Sequence, residues 1–274
     1  MYGLHKPYYQ LYSMDKLYVI KIGGNVIDDD SKLSAFLSDF AAINSKKILI
    51  HGGGKLATKL AAQLNIPQQM IDGRRITDGG TLKIVTMVYA GYINKNIVAQ
   101  LQAAGNNAIG VSGADGNAIQ AHKRTGAATD YGFVGDVDAV NASFFLALLQ
   151  QHDSVVVAPI THDGKGQLLN TNADTIAQET AKALSTLYDV ELVYSFEKAG
   201  VLMDANDETT VIKEINPTSY QQLKEQQVIF AGMLPKLDNA FAAITSGVKR
   251  VTIGKAEALS QLINGESGTR IVHE

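Results

Sequence analysis

The chain has 274 residues, 46% apolar and 19% charged, a globular balance that excludes a disordered chain and suits one large domain or two closely joined ones. A formal net charge of −3 and a pI near 6.1 lack the basic footprint of a nucleic-acid binder, and no apolar run approaches the roughly 18 to 20 residues that span a bilayer, so neither nucleic acid nor a membrane is expected as a partner. With no cysteine, disulfides, thiol nucleophiles and cysteine zinc sites are excluded, and a cytoplasmic location is expected.

Residues 1–16 read as an N-terminal appendage: no basic cluster precedes an apolar core as in a secretory signal, and Met14 stands just before the first strand. "LYVIKI" (17–22) and "KKILIHG" (46–52) are expected strands that run into glycine. Helices follow both. The second carries Leu56, Leu60 and Leu64 on one face and stops at Pro67. A long helix is expected from 79 to 104, capped by Thr77 or Asp78, closed by Gly105 and weakened in the middle by Gly91. "NAIGVSG" (107–113) and "SVVVAPI" (154–160) read as buried strands, and the glycine-rich alternating stretch 116–141 between them as an inserted β-hairpin flap. Downstream come a helix at 174–184, a strand at 189–195, a short helix at 219–227, a helix at 234–247 with Pro235 in its first turn and Gly247 at its end, and a last strand at 248–254. Strands alternating with helices predict an α/β fold on a mainly parallel sheet.

Four stretches carry candidate chemistry. Glycine directly after a strand marks backbone that something approaches closely, and here "KIGGN" (21–25) and "HGGGK" (51–55) each set a glycine cluster beside a lysine. Close strand-to-helix packing is the plain alternative. Lys21 inside an apolar strand favours an anion over those amides. "GGGKLA" also satisfies the relaxed dinucleotide pattern, with Asp72 about 20 residues on, but as the second βα turn of the chain and with Asp72 in a turn. A Walker A loop fails, because Leu56 follows Lys55. In "LLNTNADTIA" (168–177), Asn170, Asn172 and Asp174 are spaced by two, so a continuing extended segment turns all three to one side; helix capping by Asn172 or Asp174 accounts for one of them. In "GMLPKLDNA" (232–240), Lys236 sits just inside a helix whose free amides favour anions, with a surface lysine as the alternative. In "DGRRITD" (72–78), Arg75 suits a carboxylate, while Arg74 is expected to point elsewhere as a solvated charge. The six histidines form no metal constellation, and His51 reads as structural.

Together with "GVSGADG" (110–116) and "YGFVGDVDAVN" (131–141), these motifs stand in the order found in the amino-acid kinase family, which the chain resembles over nearly everything after residue 16. "GRRIT" with "NTNADT" resembles its acylglutamate-phosphorylating branch. The resemblance implies a three-layer αβα sandwich around a mainly parallel twisted sheet, with residues 17–176 binding an N-acyl-L-glutamate, acetyl or succinyl, and 177–274 binding ATP with Mg2+. It implies that Lys21 and Lys236 contact the transferring phosphoryl group and that Asp174 orients both lysines. Gly24 and Gly53 then offer amides to the phosphoryl oxygens, Gly23 and Gly54 shape the turns, and Arg75 and Asn170, supported by Asn172, hold the substrate. No residue is assigned to a metal. At 194–202 the chain reads "YSFEKAGVL", about two residues longer than the family's usual loop and without its Thr-Asp pair, so no adenine or ribose contact is assigned. A cytoplasmic enzyme of arginine biosynthesis is expected, as a homodimer joined through the 79–104 helix and lacking arginine feedback. The alternatives are another kinase of the family, acting on aspartate, glutamate or carbamate, or a non-catalytic sensor on the same fold.

Overall fold

The computed structural model describes residues 14–273, apart from 72, 73, 127, 128, 205, 227 and 230–232. The first 13 residues of the expected appendage, and Asp72 of the dinucleotide pattern, therefore lie outside the described residues. Fourteen strands are present among those described: β1 (Lys16–Ile22), β2 (Lys46–Ile50), β3 (Gln69–Ile71), β4 (Arg74–Ile76), β5 (Ala108–Ser112), β6 (Ile119–Lys123), β7 (Val134–Val140), β8 (Ser154–Ala158), β9 (Ile160–His162), β10 (Leu168–Thr171), β11 (Asp189–Phe196), β12 (Glu214–Ile215), β13 (Arg250–Lys255) and β14 (Thr269–Ile271). Eight form the main sheet in the order β12-β14-β13-β11-β1-β2-β8-β5, parallel throughout except between β13 and β14.

Both faces of this sheet are covered, which is why its strands read as nearly unbroken apolar runs. Along β1, Leu17 and Val19 face one core with helices Ala142–Gln151, Ala173–Leu184, Pro217–Glu225 and Leu234–Thr245. Tyr18, Ile20 and Ile22 face the other, with Asp30–Ala41, Gly54–Gln63, Leu259–Asn264 and the long helix beginning at Gly79. The result is an αβα sandwich. The same two-residue alternation decides where the polar residues at the strand ends go: Lys21 follows Leu17 and Val19 toward helix Ala173–Leu184, whereas His51 follows Leu49 into the opposite core.

Several expectations need correction. Helix Gly54–Gln63 buries Ala57 and Ala61 completely while Leu64 is exposed, so its deepest contact is made by small residues, and it packs against the long helix beginning at Gly79. The long helix is continuous from Gly79 to Ala103 and is capped by Asp78, whose carboxylate accepts from the Thr81 amide at 2.7 Å, but its middle, Met87–Ile93 with Gly91, is wound as a π-helix. The hairpin does form, β6 against β7, yet it is no detached flap: β10 pairs parallel with β7 and antiparallel with β9, and β9 touches β6, closing a second four-stranded sheet. The stretch around Arg74 is a short hairpin, β3 against β4. The strand at 250–255 is not the last, since β14 returns antiparallel beside it.

Candidate active site

Connections leave β1 toward β2 on one side, and the chain later returns to its other side as β11, so the order of strands reverses between β1 and β11. Open α/β sheets hold ligands at the carboxyl ends of their strands near such a reversal. A cavity of 350 Å³ lies there, lined by Gly52, Gly53 and Gly54 after β2, Pro159 after β8, Asn170 and Asn172 at the end of β10, and Asp174 and Lys236 from two helices. A larger hollow of 560 Å³, lined by Lys16, Lys46 and Asp153, lies at the opposite, amino-terminal ends of the strands.

The centre of the site is one little-exposed carboxylate between two ammonium groups. Asp174 Oδ1 is 2.8 Å from Lys21 Nζ, and Oδ2 accepts a hydrogen bond from Lys236 Nζ at 2.9 Å. Burial alone raises a carboxyl pKa, but the charges of Lys21 and Lys236 outweigh it and hold Asp174 well below the ordinary carboxylate range. The three residues come from separate parts of the chain. Lys21 is delivered by strand parity, and Lys236 by the first turn of Leu234–Thr245. Asp174 does not continue the extended run through Asn170 and Asn172: Asn172 caps helix Ala173–Leu184 by accepting from the Thr175 amide at 3.0 Å, and Asp174 stands in the first helical turn. The run turns helical because the cap is satisfied there, and the tight first turn still brings all three side chains to the cavity.

The two glycine turns differ. Gly23 donates its amide to Ser195 O at 3.0 Å, tying the end of β1 to β11, and Gly24 opens the short helix Gly24–Ile27. Gly53 has φ +144°, and a Cβ there would overlap Ile93 and stand 3.2 Å from the Tyr89 ring, so only glycine fits. Gly54 is the first residue of its helix, and its carbonyl accepts from Arg75 Nη2 at 2.9 Å. Lys55 does not face the cavity; it bonds Asn25 and so links the two turns.

Arg75 also donates to Thr58 Oγ1 at 2.9 Å and to Gln68, and Asn170 donates to Thr77 Oγ1 at 3.0 Å. Arg74, expected to be solvated elsewhere, lines the cavity together with Arg75, its neighbour in β4 of the short β3–β4 hairpin. Sequence reasoning missed Tyr89, Arg124 and Asn239, which also line it. Arg124 is held by Asp136 through a forked ion pair across β6 and β7, a pairing visible only once the hairpin register is known. His51 is fully buried, and no group of three His, Asp or Glu side chains that could hold a metal occurs among the described residues.

The Amino acid kinase family model matches residues 16–255. An acetylglutamate kinase of Phocaeicola vulgatus is 56% identical over 94% of this chain and 98% of its own length. One of Cytophaga hutchinsonii is 55% identical over 94% and 99%. Among solved structures, the N-acetylglutamate synthase of Neisseria gonorrhoeae, complexed with coenzyme A and N-acetyl-glutamate, superposes with a TM-score of 0.80 at 22% identity, covering 95% of this chain, which spans 60% of that longer one. The chain belongs to the amino acid kinase family.

Proposed function

We propose that the protein transfers the γ-phosphoryl group of MgATP to the side-chain carboxylate of N-acetyl-L-glutamate, giving an acyl phosphate and ADP, as a step of arginine biosynthesis. The observation that carries this reading is the Lys21–Asp174–Lys236 cluster beside a glycine turn, in a chain 56% identical to a protein named acetylglutamate kinase. A carboxylate nucleophile is already ionised at neutral pH, so no general base is needed. The obstacle is charge, since an anion must meet a polyanion. A carboxylate oxygen forms the new bond to phosphorus while the bond to the bridging oxygen of ADP breaks and its electron pair stays on ADP. Lys21 and Lys236 neutralise charge on the moving group, and Asp174 holds the two ammonium groups in place against their mutual repulsion. The amides of Gly24 and Gly53 receive the phosphoryl oxygens, with Gly23 and Gly54 shaping the turns. Arg75 and Asn170 hold the substrate's carboxylate and amide, supported by Asn172. Mg2+ enters as part of the nucleotide and spreads phosphate charge.

In this reading residues 17–176 form the acylamino-acid lobe and 177–274 the nucleotide lobe, which share helix Ala173–Leu184. The protein acts in the cytoplasm as a homodimer. Exposed Met87 and Tyr92 on the long helix, beside the edge strand β5, support an interface there, and gel filtration tests it. Arg74 and Arg124 in the cavity wall favour a second acyl group, succinyl, whose extra carboxylate they could meet. The deciding assay is ATP consumption with N-acetyl- and N-succinyl-L-glutamate side by side, trapping the acyl phosphate with hydroxylamine, with Lys236→Ala as control. Turnover lost on substitution supports the kinase and ranks the acyl groups; no turnover with either substrate refutes it.

A further inference from the structure

Beneath the glycine turn lies a buried polar pair that the chemistry above does not use. His51 and Asn94 are both fully buried. His51 Nδ1 is 2.9 Å from the carbonyl oxygen of Gly52, and Nε2 is 3.3 Å from Asn94 Nδ2. The same Asn94 nitrogen faces the carbonyl oxygens of Val156 at 3.0 Å and Val111 at 3.5 Å. Carbonyls only accept, so this atom is the amide nitrogen, and Asn94 Oδ1 is correspondingly met by Lys95 Nζ at 3.0 Å. Gly110 leaves the space that Asn94 occupies, since a Cβ there would run into its side-chain oxygen.

These contacts settle the ring's protonation from both ends. Asn94 presents an N–H to Nε2, which must accept, and Gly52 presents an oxygen to Nδ1, which must donate. The ring is thus the neutral Nδ1–H tautomer. The Gly52–Gly53 peptide is trans, so its C=O and N–H point in opposite directions. With the Gly52 oxygen drawn into the core by His51, the Gly53 N–H is turned outward to the cavity that Gly52, Gly53 and Gly54 line.

We infer that His51, locked in one tautomer by Asn94, is a positioning residue that aims the Gly53 amide at the transferring phosphoryl group. This rests on the kinase reading proposed above. An amide already aimed at developing charge costs no reorganisation during reaction, so its loss is felt in turnover more than in binding.

The test compares wild type, His51→Leu and His51→Asn by hydroxylamine trapping, with kcat and both KM values measured separately. The asparagine amide reaches the place of Nδ1 and keeps a donor for Gly52; leucine does not. His51→Leu is expected to lower kcat about 10²-fold, the low end for a lost oxyanion donor, with both KM values within about threefold, and His51→Asn to recover about tenfold of that loss. Equal losses in the two variants, or an unchanged kcat in His51→Leu, overturn the inference. Should His51→Leu not fold, the wild-type ring decides: 15N chemical shifts must report Nδ1–H, and an Nε2–H ring overturns the inference. If wild type turns over neither acylglutamate, the kinase reading fails separately. The ring tautomer and the shift of the Gly53 amide signal on adding inorganic phosphate then decide the inference, which an unmoved signal overturns.

Discussion

Replacing Asp174 by asparagine keeps the shape of the central cluster and removes its only negative charge, leaving two ammonium groups facing a neutral amide. At an effective dielectric near 20, unit charges 2.8 Å apart attract by about 6 kcal/mol, and Asp174 makes two such contacts. Desolvation of three charges offsets most of that gross attraction in the wild type, but it is not recovered when one partner alone is removed, so a net loss of about 3 to 5 kcal/mol is expected. The folded pKa of Asp174 lies below its ordinary 3.8, so its stabilisation is fully present above that value and is lost as pH falls through the folded one. Urea unfolding of wild type and Asp174→Asn from pH 8 to 3 should therefore show a constant gap down to about pH 5, narrowing by up to about 1.4 kcal/mol per unit below pH 4. A gap under about 1 kcal/mol at pH 7, the size of an exposed ion pair, or one that does not narrow in acid, refutes the account of the cluster as a coupled, desolvated triad.

Gly53→Ala should destabilise the fold by about 1 to 3 kcal/mol from backbone strain alone, with more from overlap against Ile93, and should cut turnover at least about tenfold; a thermal melt and a rate within twofold of wild type would contradict this. Arg75→Lys replaces a planar fork that spans Gly54 O and Thr58 with a single ammonium, so KM for the acylglutamate should rise about tenfold or more with kcat less affected, and an unchanged KM in the trapping assay counts against its assignment. Burial, with Lys95 adding a smaller push against the raising bond to Gly52, lowers the His51 pKa from 6.5 to about 4. Between those values the unfolded chain binds more protons, so stability should rise with pH across that window by about 3 kcal/mol. His51→Asn should flatten this rise in urea midpoints, and a slope shared by both proteins would assign it to another group.

The start of the long helix was legible from Asp78, which caps it, and the glycines following β1 and β2 mark where the chain must turn closely. Asn141 and Asn216 cap helices Ala142–Gln151 and Pro217–Glu225, but neither start was read from the sequence: the first helix was not expected and the second was expected from 219. The π-winding of Met87–Ile93 had no local signal beyond Gly91; it brings Tyr89 and Ile93 against Gly53, a long-range fit. Lys21 was legible as an ion-binding candidate because a charge among Val19, Ile20 and Ile22 needs a partner, yet the identity of that partner, Asp174, came only from the family resemblance and not from any local signal. Asp174 was found for an incomplete reason: alternation placed it beside Asn170 and Asn172, and a capped first turn put it there.

What the sequence determines by itself is local: which runs alternate or repeat, where backbone must be glycine, and which charged side chains stand in apolar surroundings, because each depends on neighbours a few residues apart. Only the tertiary structure decides which strand ends meet. The reversal of strand order between β1 and β11 brings Lys21, Asp174 and Lys236 together, and the register of β6 on β7 turns Arg124 from a surface charge into cavity wall. Long-range pairing of this kind is fixed by burying two sheet faces at once, a cooperative requirement that no short window of residues expresses.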